Sequence, residues 1–256
     1  MTIKAAFFDI DGTLFSHKSG HVPPSTEKAI ALLRENGIIT AICTGRHDQE
    51  VRRVNLASLQ FDYTITLNGQ MIRDSEGCLV KAFPFKSDDI AAIEDLFKQK
   101  KIAIMAIEED DIYLNTITEA AISANAAVSI PLPRVDTLKG KPLYQLICYG
   151  SKEEIESVTE RLNAKAVWWN LKSVDVIPEY GGKDKGIEAL LERLNISRDE
   201  IITFGDGMND IPMLRLSPYS VAMGNAEEDV KNSASYVTTD IDDDGIYKAL
   251  THFNLI

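Results

Sequence analysis

The chain has 256 residues, 45% of them hydrophobic, with 39 acidic against 27 basic side chains and a formal net charge of −12. This length predicts one large or two modest domains, and the acidic balance argues against a nucleic-acid or anionic-membrane surface, though not against a small anionic substrate held by local cations. Cys43, Cys78 and Cys148 stand far apart in apolar runs and read as buried reduced thiols; with no leader-like or membrane-length apolar run in view, a cytoplasmic protein is expected.

In chain order, KAAFFDI (4–10) reads as a short strand covered on both faces. PPSTEKAIALLRENG follows as a helix, with Ser25 or Thr26 available as cap, Ala29, Leu32 and Leu33 as its apolar stripe, and Gly37 as its end. IITAICTG gives a second buried strand over 38–43, and DYTITLNG a third that ends at Asn68–Gly69.

From about Cys78 to Pro178 the grammar changes. CLVKAF, IAIMAI, DIYLN, LYQLICYG, AVWWN and SVDVI are strand-like runs with few helices between them. One helix is predicted from Ser87 through Ile90, Ile93 and Phe97, and another from Ser151, where Glu154 completes a capping box. Neighbouring strands with few crossovers predict an antiparallel α+β module, inserted between about Pro84 and Pro178–Gly182. Trp168 and Trp169 are expected to divide between its core and its surface.

The alternation of strand and helix then resumes. Ile187, Leu190, Leu191 and Leu194 share one helix face, EIITFGDG is a strand ending in Gly205–Asp206–Gly207, and YSVAMGNA and ASYVTTD flank a short helix near 226–233. The expected fold class is α/β: a Rossmann-like parallel-sheet core from 1–80 and 184–256, with an inserted α+β cap domain over 81–183. The acids Asp240, Asp242, Asp243 and Asp244 read as a solvated turn before a final helix. His17, His21, His47 and His252 lack metal-ligand spacing.

Three predicted strands end in polar groups: Asp9 and Asp11; Thr44, Gly45 and Arg46; and Asp206 with Asn209 and Asp210. Ligands of open α/β sheets bind at the carboxyl ends of strands, so these tips can share one crevice. Asp9 and Asp11, two residues apart in an extended chain, can face one side. Charges about 4 Å apart repel by roughly 4 kcal/mol at an effective dielectric near 20, so a cluster of Asp9, Asp11, Asp206 and Asp210 needs a cation. An all-oxygen set suits Mg²⁺. Thr44, Gly45 and a lysine could hold phosphate, and Lys185 at the start of the Ile187–Leu194 helix is placed ahead of Lys183, which competes for the role. Together these groups describe phosphoryl transfer through an aspartyl-phosphate, with Asp9 as nucleophile and Asp11 as general acid and base.

At DIDGT (9–13), TGR (44–46), KG (185–186) and GDGMND (205–210) the sequence closely resembles the haloacid dehalogenase superfamily, specifically its Cof-type sugar phosphatases with a type IIB cap. The resemblance implies Asp9 as nucleophile and metal ligand, Asp11 as acid/base that also offers its backbone carbonyl to the metal, Thr44 and Lys185 on phosphate, and Asp206 as ligand. Asp210 would help directly or through water, with Arg46, Asn68 and Asn209 nearby. The expected activity is Mg²⁺-dependent hydrolysis of small phosphorylated metabolites, sugar phosphates first, by a monomer or weak homodimer without nucleic-acid or membrane partners. A phosphomutase of the phosphomannomutase type and a non-catalytic phosphometabolite-binding protein are the alternatives.

Overall fold

The computed structural model describes residues 2–56, 59–127, 131–170 and 172–256, with backbone only at 169 and 170. The chain forms two units, Met1–Ala82 with Gly182–Ile256, and Phe83–Gly181.

The larger unit begins with β1 (Ala5–Phe8), α1 (Pro24–Glu35), β2 (Ile39–Cys43), a one-turn helix α2 (Asp48–Val51), β3 (Tyr63–Thr66), β4 (Met71–Asp74) and β5 (Leu79–Ala82). In the smaller unit come α3 (Ser87–Gln99), β6 (Ala103–Ile107), β7 (Ile112–Leu114), α4 (Glu119–Ala127), β8 (Gln145–Tyr149), α5 (Lys152–Thr159), β9 (Ala164–Asn170) and β10 (Ser173–Pro178). The larger unit then closes with α6 (Lys183–Leu194), β11 (Ile201–Gly205), α7 (Ile211–Leu216), β12 (Ser220–Ala222), α8 (Glu228–Lys231), β13 (Tyr236–Val237) and α9 (Gly245–His252).

The larger sheet runs β13-β12-β11-β1-β2-β3-β4-β5. It is parallel from β13 to β3, and β4 and β5 extend it as an antiparallel edge. Every residue of β1 is buried, as a central strand covered on both faces requires. Phe8 stacks on Phe204 of β11 at 4.8 Å between ring centroids, inside a core that also takes Leu33 from α1 and Leu250 from α9. The chain order reverses at β1, with β2 on one side and β11 on the other. Such a switch point opens a crevice at the strands' carboxyl ends.

The smaller unit carries an antiparallel sheet in the order β7-β6-β8-β10-β9. Ile104, Leu146, Cys148, Val174 and Val176 from alternate strand positions meet Ile93 and Phe97 of α3 and Ile155 and Val158 of α5. Ser151 and Glu154 form the expected capping box on α5. Helix α4 has no counterpart among the predicted elements, since its alanine-rich sequence shows little contrast between faces. Trp168 packs against this core, whereas the side chain of Trp169 lies outside the described residues.

Three local expectations are corrected. The run CLVKAF belongs to the larger sheet, because β5 pairs with β4. Cys78 is exposed: it lies in the β4–β5 turn, where the Asp74 carboxylate accepts its N–H. Helix α1 is capped at Pro23 without a side-chain bond, and Ser25 and Thr26 lie inside its first turn behind Pro24. Among the described residues, no helix is long and apolar enough to cross a membrane.

Candidate active site

Strand pairing itself brings the acids together. Phe8 is in register with Phe204, and the Asp9 N–H donates to the Phe204 carbonyl at 3.0 Å, so Asp9 and Asp206 leave adjacent strands side by side. Gly12 then turns the chain with φ +78°; a Cβ there would lie 2.0 Å from Asp206 Oδ2, so the approach of the two segments requires glycine. Thr13 Oγ1 donates to Asp206 Oδ1 at 2.8 Å, and Asn225 Nδ2 to Asp206 Oδ2 at 3.2 Å. Sequence patterning assigns no role to Thr13 or Asn225. Thr13 could have been found, because it closes the DIDGT motif.

Asp210 folds back onto its own turn. Its Oδ2 accepts the N–H groups of Asp206 and Gly207 at 3.0 and 2.9 Å, and its Oδ1 accepts Lys183 Nζ at 2.6 Å. Lys183 also donates to Asp9 Oδ1 at 2.7 Å, and its side chain is fully buried between the two carboxylates. The expected lysine is therefore displaced by two residues. Lys185 is 44% exposed and binds Glu188 at 2.7 Å on the outside of α6. The buried positions Lys183, Gly186, Ile187, Leu190 and Leu191 form one stripe of the helix; two residues on from Lys183, the chain has turned to the opposite face.

The remaining site residues come from the loops after β2 and β3, which bind one another. The Asn68 N–H donates to the Thr44 carbonyl at 2.9 Å and the Leu67 N–H to the Arg46 carbonyl at 3.0 Å. Asn68 takes the left-handed conformation (φ 52°), and its Oδ1 accepts Asn209 Nδ2 at 3.2 Å. Thr44 is buried, and its hydroxyl accepts the Arg46 N–H at 3.2 Å. Gly45 lies against the Asn68 side chain. The Arg46 guanidinium grips Asp11 in a two-point fork, with Nε to Oδ2 at 2.6 Å and an NH2 group to Oδ1 at 2.7 Å. His17 adds a contact from Nε2 to Asp11 Oδ1 at 2.7 Å.

These contacts set the charge states. Burial works to raise the Asp11 carboxyl, but the Arg46 fork and His17 outweigh it and hold the group below its ordinary range. Burial likewise works against charge on Lys183, yet Asp210 and Asp9 keep its ammonium more firmly protonated than a free lysine. For Asp9, burial pushes the carboxyl well above its ordinary range against the pull of Lys183, with Asp210, Asp11 and Asp206 adding repulsion. Asp206 is pushed up to about 7 by burial and by Asp210, against the Thr13 hydrogen bond.

Asp9, Asp206 and Asp210 each offer a carboxylate oxygen, and these oxygens lie within 4.8 Å of one another. Setting aside Asp11 and Arg46 as a neutral pair, three carboxylates face one ammonium, which leaves two formal negative charges. The hard oxygen donors and that charge deficit fit a divalent cation. The Asp11 carboxylate is not part of this group; its oxygens are taken by Arg46 and His17.

A family model described as haloacid dehalogenase-like hydrolase matches residues 6–250. The chain belongs to that family. It is 30% identical to YkrA of Bacillus subtilis (strain 168), which bears a phosphatase name, with both chains covered in full. In structure it superposes on BT1666 from Bacteroides thetaiotaomicron, described among phosphatases of the superfamily, with a TM-score of 0.91 and 29% identity over 100% of this chain and 96% of that one. It superposes on the subclass IIB sugar phosphatase BT4131 with a TM-score of 0.84 and 31% identity, over 99% and 100%. The likeness to a subclass IIB member thus includes the inserted unit. The chain is an enzyme of the phosphatase type within this hydrolase family.

Proposed function

We propose that the protein is a Mg²⁺-dependent phosphatase of small phosphorylated metabolites, sugar phosphates first among them, and that it works through a phosphorylated Asp9. The observation that carries this reading is the setting of Asp9: one oxygen is fixed by the buried Lys183 ammonium, beside a three-carboxylate cluster that suits a divalent ion. The sugar phosphate assignment draws support from the likeness to BT4131.

In this reading Asp9 Oδ2 attacks phosphorus as the bond to the leaving oxygen breaks, and Asp11 gives that oxygen its proton. Water then attacks the phosphorus of phospho-Asp9, Asp11 takes the water's proton, and the carboxylate of Asp9 is released with inorganic phosphate. The Arg46 fork holds Asp11 in its base form. A phosphate dianion competes with Asp11 for the same guanidinium, and its arrival frees Asp11 to carry the proton required by the first step. Thr44, the Gly45 N–H and Asn209 bind the phosphoryl oxygens. Lys183 offsets the charge of Asp9 and keeps its carboxylate aimed. Asp9, Asp206 and the Asp11 backbone carbonyl would hold Mg²⁺, with Asp210 supporting the turn around it. The bound ion supplies positive charge against the phosphoryl group.

Turnover of p-nitrophenyl phosphate and of a panel of sugar, nucleotide and cofactor phosphates tests this directly. Release of phosphate that stops on chelation, and that falls by about 10³-fold or more in Asp9→Asn, is the expected outcome. Undiminished turnover in Asp9→Asn, or activity indifferent to chelation, overturns it. Conversion of a hexose 1-phosphate to its 6-phosphate without free phosphate would mark a mutase instead.

A further inference from the structure

The smaller unit holds a cavity of about 260 Å³ between α3, the β6–β7 hairpin and the segment 138–143. Its walls are mainly apolar, with Phe85, Ile90 and Leu143 prominent, and Glu108 and Tyr113 share its lining with the charged Glu94, Lys139 and Lys141. Glu108 is only 1% exposed. Its Oε1 accepts the Tyr113 hydroxyl at 2.7 Å, but its Oε2 is buried without a hydrogen-bond partner, and Glu108 forms no ion pair among the described residues. Burial and the Glu108 hydrogen bond raise the Tyr113 hydroxyl above its ordinary range, so it stays a donor. Lys139 and Arg134 bind Asp111 at 2.5 and 2.7 Å across the face of the Tyr113 ring, and Lys141 forms no ion pair with Glu108 among the described residues.

A buried carboxylate oxygen without a donor is costly, and native proteins rarely leave one unmet. A mainly apolar pocket with a few convergent polar groups is the usual form of a small-molecule site. We infer that this cavity binds a small primary amine with an apolar body, its ammonium donating to Glu108 Oε2 and its hydrocarbon part lying against Ile90, Leu138 and Leu143. An ammonium answers both deficits at Glu108, the missing donor and the missing positive charge. A neutral hydroxyl answers only the first, and an anion neither. This inference is independent of the aspartate cluster and of the phosphatase reading.

The test uses the full isotope-labelled chain, followed by NMR as benzylamine, benzyl alcohol or phenylacetate is added. Benzylamine is expected to give saturable shifts confined to residues around Tyr113, Leu138 and Leu143, with a Kd on the order of 1–10 mM. Benzyl alcohol is expected to bind at least about tenfold more weakly, and phenylacetate not at all. Glu108→Gln keeps an acceptor for Tyr113 and is expected to weaken benzylamine about tenfold or more. Leu138→Trp fills the cavity from its half-buried rim and is expected to abolish the shifts, which decides the matter should Glu108→Gln fold poorly. Equal binding of amine and alcohol, unchanged binding in either folded variant, or no saturable shift with benzylamine overturns the inference.

Discussion

Lys183 joins Asp9 and Asp210 through one buried ammonium, so its removal strands two carboxylates at once. Breaking a buried pair from one side costs about 3–5 kcal/mol, because the charge left behind has lost its compensation. Lys183→Met is expected to lower stability by about that amount in a denaturant titration, and to cut kcat/KM by at least about 10²-fold at temperatures where it remains folded. Lys185→Met removes only exposed contacts to Glu188 and Asp184 and is expected to stay within about twofold in kcat/KM and about 0.5 kcal/mol in stability. The reverse ranking would contradict the assignment. The buried lysine was within reach of the sequence, since stepping back four residues from Ile187 along the apolar stripe lands on Lys183. A phosphate-binding role suggested a helix start and a reachable head group, and both lysines supply these; only helix register separates them. The Arg46 fork on Asp11 had no such signal, because it joins residues 35 apart through side chains alone.

At the scale of elements, the site depends on how closely the start of α6 approaches the turn after β3. Gly69 has φ +97°, and a Cβ there would lie 2.0 Å from the Gly182 carbonyl oxygen, immediately before Lys183. Gly69→Ala adds backbone strain to a clash with main chain that cannot swing aside. It is expected to cost about 3 kcal/mol or more in denaturant unfolding and to lower kcat by displacing Lys183. A variant of wild-type stability and activity would show that this contact is dispensable. The strands carrying the motifs were legible because each is a short buried run followed at once by polar residues. The zipper between the loops at 44–46 and 67–68 was not, since it is made by backbone groups of segments that sequence patterning treats separately. β5 was misassigned for a related reason: an edge strand alternating between exposed and half-buried residues carries no mark of which sheet it joins.

For the whole molecule, a chain of formal net charge −12 sets three carboxylates, Asp9, Asp206 and Asp210, against one ammonium, Lys183, where catalysis is proposed. Burial and Asp210 push the Asp206 carboxyl up to about 7 in the folded chain against about 4 in an unfolded one, so the native state holds an extra proton between those values. Its contribution to stability is fully present below about pH 4 and is lost as pH rises through 7. A divalent cation competes with that proton. Magnesium is therefore expected to raise the thermal midpoint more at pH 8 than at pH 5, and equal shifts at the two values would contradict this coupling. The division into a parallel-sheet unit and an inserted antiparallel unit followed from the change of grammar near residue 80. The ligand of the smaller unit did not, because Glu108 gains its meaning only from burial. The most direct measurement concerns Asp9 itself: a rapid acid quench during turnover of p-nitrophenyl phosphate, then borohydride reduction and peptide mass spectrometry. The account predicts reduction of phospho-Asp9 to homoserine at position 9. An unmodified Asp9 in a sample that has turned over, or reduction at another carboxylate, would contradict it.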